Sequence, residues 1–320
     1  MTTLTMRSYG GEGDLEAIAD LFSACELVDK LNENVSVPEL RQALNKLSLD
    51  KDCGLCIWED TDGQLIGCGW VSVLPLVGDV IEVYVGSRIH PKVRGENLER
   101  KIIAWSEAQT RSVSQEHGVR AKLRSSIRAE KADEIAVFED SGFTAERYFV
   151  SMARSLTITI PQAQFPDGFT LRQVRGLEDN QSWVDLFNES FIDHWNHPQF
   201  TLEENLQCLS DSNYRPELDL VAVAADGMFA AFCRCWINSE RNNRSGRSEG
   251  YIRSLGTRPG FRQMGLGRAV LLAGMQRLKA AGMSIVTLDV DVNNPNGALQ
   301  LYESVGFSKA FTQITFVKDI

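Results

Sequence analysis

The strongest constraint on this chain is that it repeats itself. Met6-Arg7 and Asp20-Leu21-Phe22 return as Leu171-Arg172 and Asp185-Leu186-Phe187, in both places 165 positions later. Asp62-Gly63, between two strand-like runs, returns as Asp226-Gly227 after 164 positions; His90-Pro91 followed by Arg94 returns as Arg258-Pro259 followed by Arg262 after 168. Phe138-Glu139-Asp140-Ser141-Gly142-Phe143 returns as Tyr302-Glu303-Ser304-Val305-Gly306-Phe307, again after 164. Ordered landmarks at nearly one spacing describe a single tandem duplication, not a solenoid. The 320 residues therefore make two domains, a length that suits two cores better than one.

The second copy carries the more informative chemistry. Arg262-Gln263-Met264-Gly265-Leu266-Gly267 is a Gly-rich turn, and the residues from Ala269 to Leu278 are strong helix formers with Leu271, Met275 and Leu278 on one stripe. Such a turn opens a helix, where backbone N–H groups lack intrahelical partners and the dipole is positive. Phosphate is favoured there, and Gly265 and Gly267 have no Cβ to hold its oxygens away. Arg262 and Arg268 add positive charge. Gly282 ends the helix. Val286, Leu288, Val290 and Val292 then alternate with Thr287, Asp289 and Asp291, the period of a half-buried strand. After Asn293–Gly297, a short helix from Ala298 to Ser304 carries Tyr302.

Pro259-x-x-Arg262-x-x-Gly265-x-Gly267-Arg268, followed by Asn294-Pro295-x-Gly297-Ala298-Leu299-x-Leu301-Tyr302-Glu303-x-x-Gly306-Phe307, resembles the acetyl-CoA-binding core of the GNAT superfamily of N-acetyltransferases. Gln263 stands where the family often has glycine. With the duplication, the resemblance covers nearly the whole chain and implies an α/β (α+β) protein of two tandem GNAT folds. Each is a mixed, mostly antiparallel sheet flanked by helices. The expected division is 1–156, a linker over 157–168, and 169–320. Tandem GNAT proteins of this size include the mycothiol synthases, a likeness of architecture that carries no substrate.

The resemblance also implies a division of labour within the site. The strand carrying Leu255, Gly256 and Thr257 lines the pantetheine arm of acetyl-CoA. Amides of Gln263, Met264, Gly265, Leu266, Gly267 and Arg268 surround the pyrophosphate with Arg262 adding charge nearby, and Asn294 touches CoA beyond the second strand. Tyr302 is the candidate general acid for the leaving thiolate, since a free phenol near pKa ~10 lies close to a thiol's ~8.5. Glu249 is the candidate base. The acceptor pocket is expected from the segment holding Asp193, His194, Trp195 and His197, where aromatic rings and titratable groups can stack on and orient a polar amine. In the first copy Asn97 and Glu99 replace Gly265 and Gly267, Glu96 adds another carboxylate, and Phe138 replaces Tyr302. That copy is expected to be degenerate and non-catalytic.

The expected activity is transfer of acetyl from acetyl-CoA to an amine of a small molecule or peptide. Two alternatives stand beside it: another acyl group or an oxygen acceptor, and a CoA-binding regulatory module without turnover. A net charge of −10 argues against a nucleic-acid surface. No apolar run is long enough to span a membrane and the first twenty residues lack a signal-peptide core, so a cytoplasmic monomer or homodimer is expected. The seven cysteines read as reduced thiols, with Cys53, Cys56, Cys68, Cys233 and Cys235 in apolar, strand-like runs. Cys53-x-x-Cys56 has no second pair at finger spacing; His194-x-x-His197 and Cys233-x-Cys235 could in principle meet, but such pairs are usually core thiols and surface imidazoles, and no metal is expected.

Overall fold

The computed structural model describes residues 4–31, 33–46, 54–74, 76, 78–196 and 199–320. The first copy runs β1 (Thr5–Ser8), α1 (Leu15–Asp29), α2 (Val37–Lys46), β2 (Leu55–Glu59), β3 (Leu65–Val73), β4 (Val80–Ile89), α3 (Leu98–His117), β5 (Arg120–Arg128), α4 (Ala132–Asp140) and β6 (Thr144–Ser155). The second copy repeats that order: β7 (Phe169–Gln173), α5 (Asn180–Ser190), α6 (Leu202–Leu209), β8 (Asp219–Ala224), β9 (Phe229–Trp236), an added α7 (Ser239–Ser245), β10 (Glu249–Thr257), α8 (Leu266–Ala280), β11 (Ile285–Asp291), α9 (Ala298–Ser304) and β12 (Ser308–Asp319).

Two compact units result, but they do not follow the expected boundaries. The first is Met1–Tyr148 with Gln313–Ile320, and the second is Phe149–Thr312. In the first unit the strand order is β1-β2-β3-β4-β5 and then the end of β12, with Gln313–Asp319 antiparallel to Lys122–Arg128. In the second it is β7-β8-β9-β10-β11 and then the end of β6, with Phe149–Ser155 antiparallel to Ile285–Asp291. Each sheet is thus completed by the terminal strand of the other copy. Only β4–β5 and β10–β11 pair in parallel. The stretch expected as a linker is packed chain. Ile160, Ala163 and Phe165 lie on the second unit's core, and just before them Leu156 is fully buried, its N–H donating to the Ser284 carbonyl at 2.8 Å.

Helices cover both faces of each sheet, which is why β9 reads as an almost continuous buried run. On one face of the second sheet Val270, Leu271, Met275 and Leu278 of α8 pack against Cys233, Cys235, Ile252, Val286 and Leu288. Each such side chain contributes about 2 kcal/mol by leaving water. Gly274 lets the helix settle: a Cβ there would lie 2.6 Å from the Cys233 sulfur. On the other face Trp183 and Leu186 of α5 join Phe232. Arg234 is also buried there. Its guanidinium lies 3.5 Å from the Trp183 ring and donates to Asp219 at 2.8 Å and Asn205 at 2.9 Å, so the charge is paired where no water reaches it. Cys25, Cys56, Cys68, Cys233 and Cys235 are buried free thiols; Cys53 lies outside the described residues.

Candidate active site

In the second unit β10 and β11 pair only over Glu249–Tyr251 and Ile285–Thr287. Beyond that the ladder stops while both strands continue, so they part and open a cleft toward their C-terminal ends. Where they part, β10 bulges. Ile252 faces Cys235 and Ser254 faces Arg234, which leaves Arg253 as an extra residue against β9. A bulge takes one residue out of the ladder and bends the strand. In the first unit, by contrast, β4 pairs β3 from Val83 to Ile89 with no break.

The Gly-rich turn sits at the mouth of this cleft's strand. Pro259–Phe261 make one 3₁₀ turn, Gln263 and Gly265 take φ of 64° and 85°, and α8 begins at Leu266 with its first bond from Ala269 N–H to the Gly265 carbonyl at 3.0 Å. Left-handed backbone at Gln263 costs a side-chain-bearing residue roughly 1–2 kcal/mol, and a glycine there would avoid that strain. At Gly267 a Cβ would approach the Thr257 hydroxyl to 3.2 Å. No acidic residue stands in the first turn of α8, and Arg268 is exposed. Arg262 is placed differently from a phosphate ligand. It donates to the Thr257 carbonyl at 3.3 Å, Ser190 carbonyl at 3.2 Å, Asn296 at 3.1 Å and Asp193 at 2.6 Å, bracing the turn from three sides. Asn294 caps the next turn, its side-chain oxygen accepting from Asn296 N–H at 2.9 Å.

Tyr302 is buried against Phe307 at 5.9 Å and belongs to the core that includes Cys233 and Leu255. Burial, with the Cys233 thiol nearby, pushes its hydroxyl well above the usual phenol range, so it is a weaker acid than a free tyrosine. Its counterpart Phe138 lines the cleft of the first unit. Glu249 opens β10 and accepts from the Thr287 hydroxyl at 3.1 Å and from Arg247 at 3.4 Å. Asn242 of the added helix α7 fixes its backbone, donating to the Glu249 carbonyl at 2.9 Å. The equivalent carboxylate in the first unit is Glu82, which is locked at 2.9 Å onto the buried guanidinium of Arg124.

The expected acceptor segment divides. Trp195 lies 6.3 Å from Phe149, whose strand neighbours across the sheet are Asp291 and, one step on, Ser151 with Asp289. Asp193 is held by Arg262, and His194 donates its Nδ1–H to the Trp195 carbonyl at 2.9 Å while its ring meets Phe191 edge-on at 5.5 Å. Both are therefore struts of the loop. His197 lies outside the described residues. At Asp289 stands a group that sequence reasoning missed: the Tyr251 hydroxyl donates to Asp289 at 3.0 Å, and Ser151 also bonds Asp289. Burial and then Asp289 raise the Tyr251 hydroxyl. A signal was present in Glu82-Val83-Tyr84 and Glu249-Gly250-Tyr251, which match as E-x-Y. Tyr84 precedes Pro91 by seven positions and Tyr251 precedes Pro259 by eight; that extra residue is the bulge.

Among the described residues no group of three His, Cys, Asp or Glu is placed to hold a metal ion, and no helix is long and apolar enough to cross a membrane. The profile of the acetyltransferase (GNAT) family matches residues 180–307. A mycothiol acetyltransferase of Salinispora tropica is 30% identical over 258 residues, which cover 80% of this chain and 78% of the relative. That of Acidothermus cellulolyticus is 26% identical over 277 residues, covering 83% and 80%. Among solved structures, a GCN5-related N-acetyltransferase from Sphaerobacter thermophilus superposes with a TM-score of 0.79 at 25% identity, over 99% of this chain and 95% of that one. A tandem GNAT protein from the clavulanic acid biosynthesis pathway shares the fold over 99% and 98% of the two chains, with a TM-score of 0.72 at 13% identity. The chain is an acyltransferase built of two tandem GNAT folds and belongs to the GNAT acetyltransferase family.

Proposed function

We propose that the protein is an acetyl-CoA-dependent N-acetyltransferase whose active site is the cleft between β10 and β11, the first unit being non-catalytic. The observation that carries this reading is the bulge at Arg253. It sits where the strands part in the second unit and has no counterpart on β4. The residues fit the co-substrate: Gly267 leaves room at the helix N-terminus, no acidic residue stands in the first turn of α8, and Arg268 is exposed beside it.

When bound, acetyl-CoA supplies the acetyl group as an activated thioester. The amides from Gln263 to Arg268 hold its pyrophosphate, and Leu255 to Thr257 and Asn294 line its arm. The backbone N–H of Arg253, the residue that the bulge takes out of register with β9, stabilises the negative charge that develops on the carbonyl oxygen. Glu249 takes the proton of the acceptor amine, directly or through water, its carboxylate steadied by Thr287 and Arg247. Tyr302, kept neutral by burial, donates its O–H to the departing sulfur. Trp195 and Phe149 beside the Tyr251–Asp289 pair form the acceptor end, an acidic and aromatic surface that suits an amine. The relatives are mycothiol acetyltransferases, so a mycothiol-type acceptor is the first to assay.

Thermal unfolding with acetyl-CoA tests the location. A ligand at 100 times its Kd adds about 2.7 kcal/mol, a readable shift in Tm. Wild type is expected to gain this and Gly267→Glu to lose it. Equal shifts in both proteins would remove the turn from the site.

A further inference from the structure

The first unit holds a cavity of about 450 Å³ between the diverging ends of β4 and β5, lined by Val85, Ser87, Ser125, Glu99, Ile102 and Phe138 among others. Its turn is built like that of the second unit. Pro91–Val93 form the same 3₁₀ turn, Gly95 and Asn97 take φ of 79° and 78°, and Arg94 donates to the Ile89 carbonyl at 3.2 Å as Arg262 does to Thr257. The change from glycine to Asn97 has therefore not collapsed the cradle. What differs is its occupant. The Glu99 carboxylate accepts from the Gly95 N–H at 3.0 Å, at the position where the second unit has Gly267 and no side chain.

We propose that Glu99 is a built-in anion that takes the place of a pyrophosphate in the first unit. The cleft behind it is a formed site that the wild-type chain keeps closed to CoA. A carboxylate at a helix N-terminus satisfies the same amides and dipole that draw phosphate, and it repels a second anion at that distance. Glu99 thus determines the specificity of this cleft, and removing it alone makes the cleft a second CoA site. The proposal rests on the second unit holding acetyl-CoA, and the test separates the two.

Equilibrium dialysis with labelled acetyl-CoA is run on the full chain as wild type, Glu99→Gly, Gly267→Glu and the double variant, with Glu99→Ala as a second removal. Circular-dichroism melts without ligand check that each is folded. Expected stoichiometries are roughly one, two, none and one molecule per chain. Two molecules in wild type, or no added molecule in either Glu99 variant, overturns the proposal. If Gly267→Glu still binds one and the double variant binds two, Glu99 keeps its role and the second-unit turn loses its own.

Discussion

At the scale of single residues, burial sets what Tyr302 can do. A free phenol near ~10 can hand its proton to a thiolate whose conjugate acid is near ~8.5, but the buried Tyr302 lies above that range, so full transfer is uphill and a donated hydrogen bond is what remains. Two results follow. Tyr302→Phe lowers kcat on the order of 10²-fold with little change in acetyl-CoA affinity, because the hydroxyl matters only as charge builds on sulfur. The pH profile of kcat shows no alkaline fall from Tyr302 below about pH 10, since desolvation favours the neutral form. An alkaline limb centred near ~9 that vanishes in Tyr302→Phe would show an ordinary, solvated phenol instead. The role proposed for Tyr302 rests on its motif and on Phe138 opposite it, both legible in the sequence. Its depth was not, because that depends on packing with β9, whose Cys233 lies far back in the chain.

At the scale of elements, the two copies differ most in how one strand meets its neighbour. The helix of the turn, the short helix of Tyr302 and the strand between them could be read from glycines, periodicity and caps, all local signals. The bulge is a relation between β10 and β9, visible in the sequence only as one extra residue between E-x-Y and the proline. Deleting Arg253 restores the seven-residue spacing of the first copy and gives β10 the unbroken pairing of β4. Catalysis is expected to fall by 10²- to 10³-fold, the usual cost of one oxyanion donor, while acetyl-CoA still raises Tm through the intact turn. Steady-state kinetics and thermal shift on one preparation check this. A kcat within a few-fold of wild type would mean the Arg253 amide has no part in transfer. The added helix α7 belongs to the same scale. Through Asn242 it fixes the backbone of Glu249, whereas the Glu82 carboxylate is drawn into a buried ion pair with Arg124.

At the scale of the whole molecule, the duplication fixed two GNAT folds but not which strand closes which sheet. β6 and β12 occupy the same place in their copies, and each is a 12-residue strand exposed at its start and buried further along. Local sequence cannot separate those pairings, because the register that decides them lies far along the chain. The expected cut at 169–320 therefore removes a strand the second unit needs. Without Phe149–Ser155, β11 presents an unpaired edge along Ile285–Asp291, and the core loses Val150, Met152 and Leu156. At about 2 kcal/mol for each buried side chain, the loss is comparable to a domain's entire net stability. The fragment 149–312 keeps all of them and ends before the residues that pair with β5. It is expected to be monomeric and to melt cooperatively, with acetyl-CoA raising its Tm, whereas 169–320 is expected to aggregate or to melt without a transition. A cooperative, ligand-stabilised 169–320 would mean that the terminal strand is exchangeable and that β12 can close its own sheet.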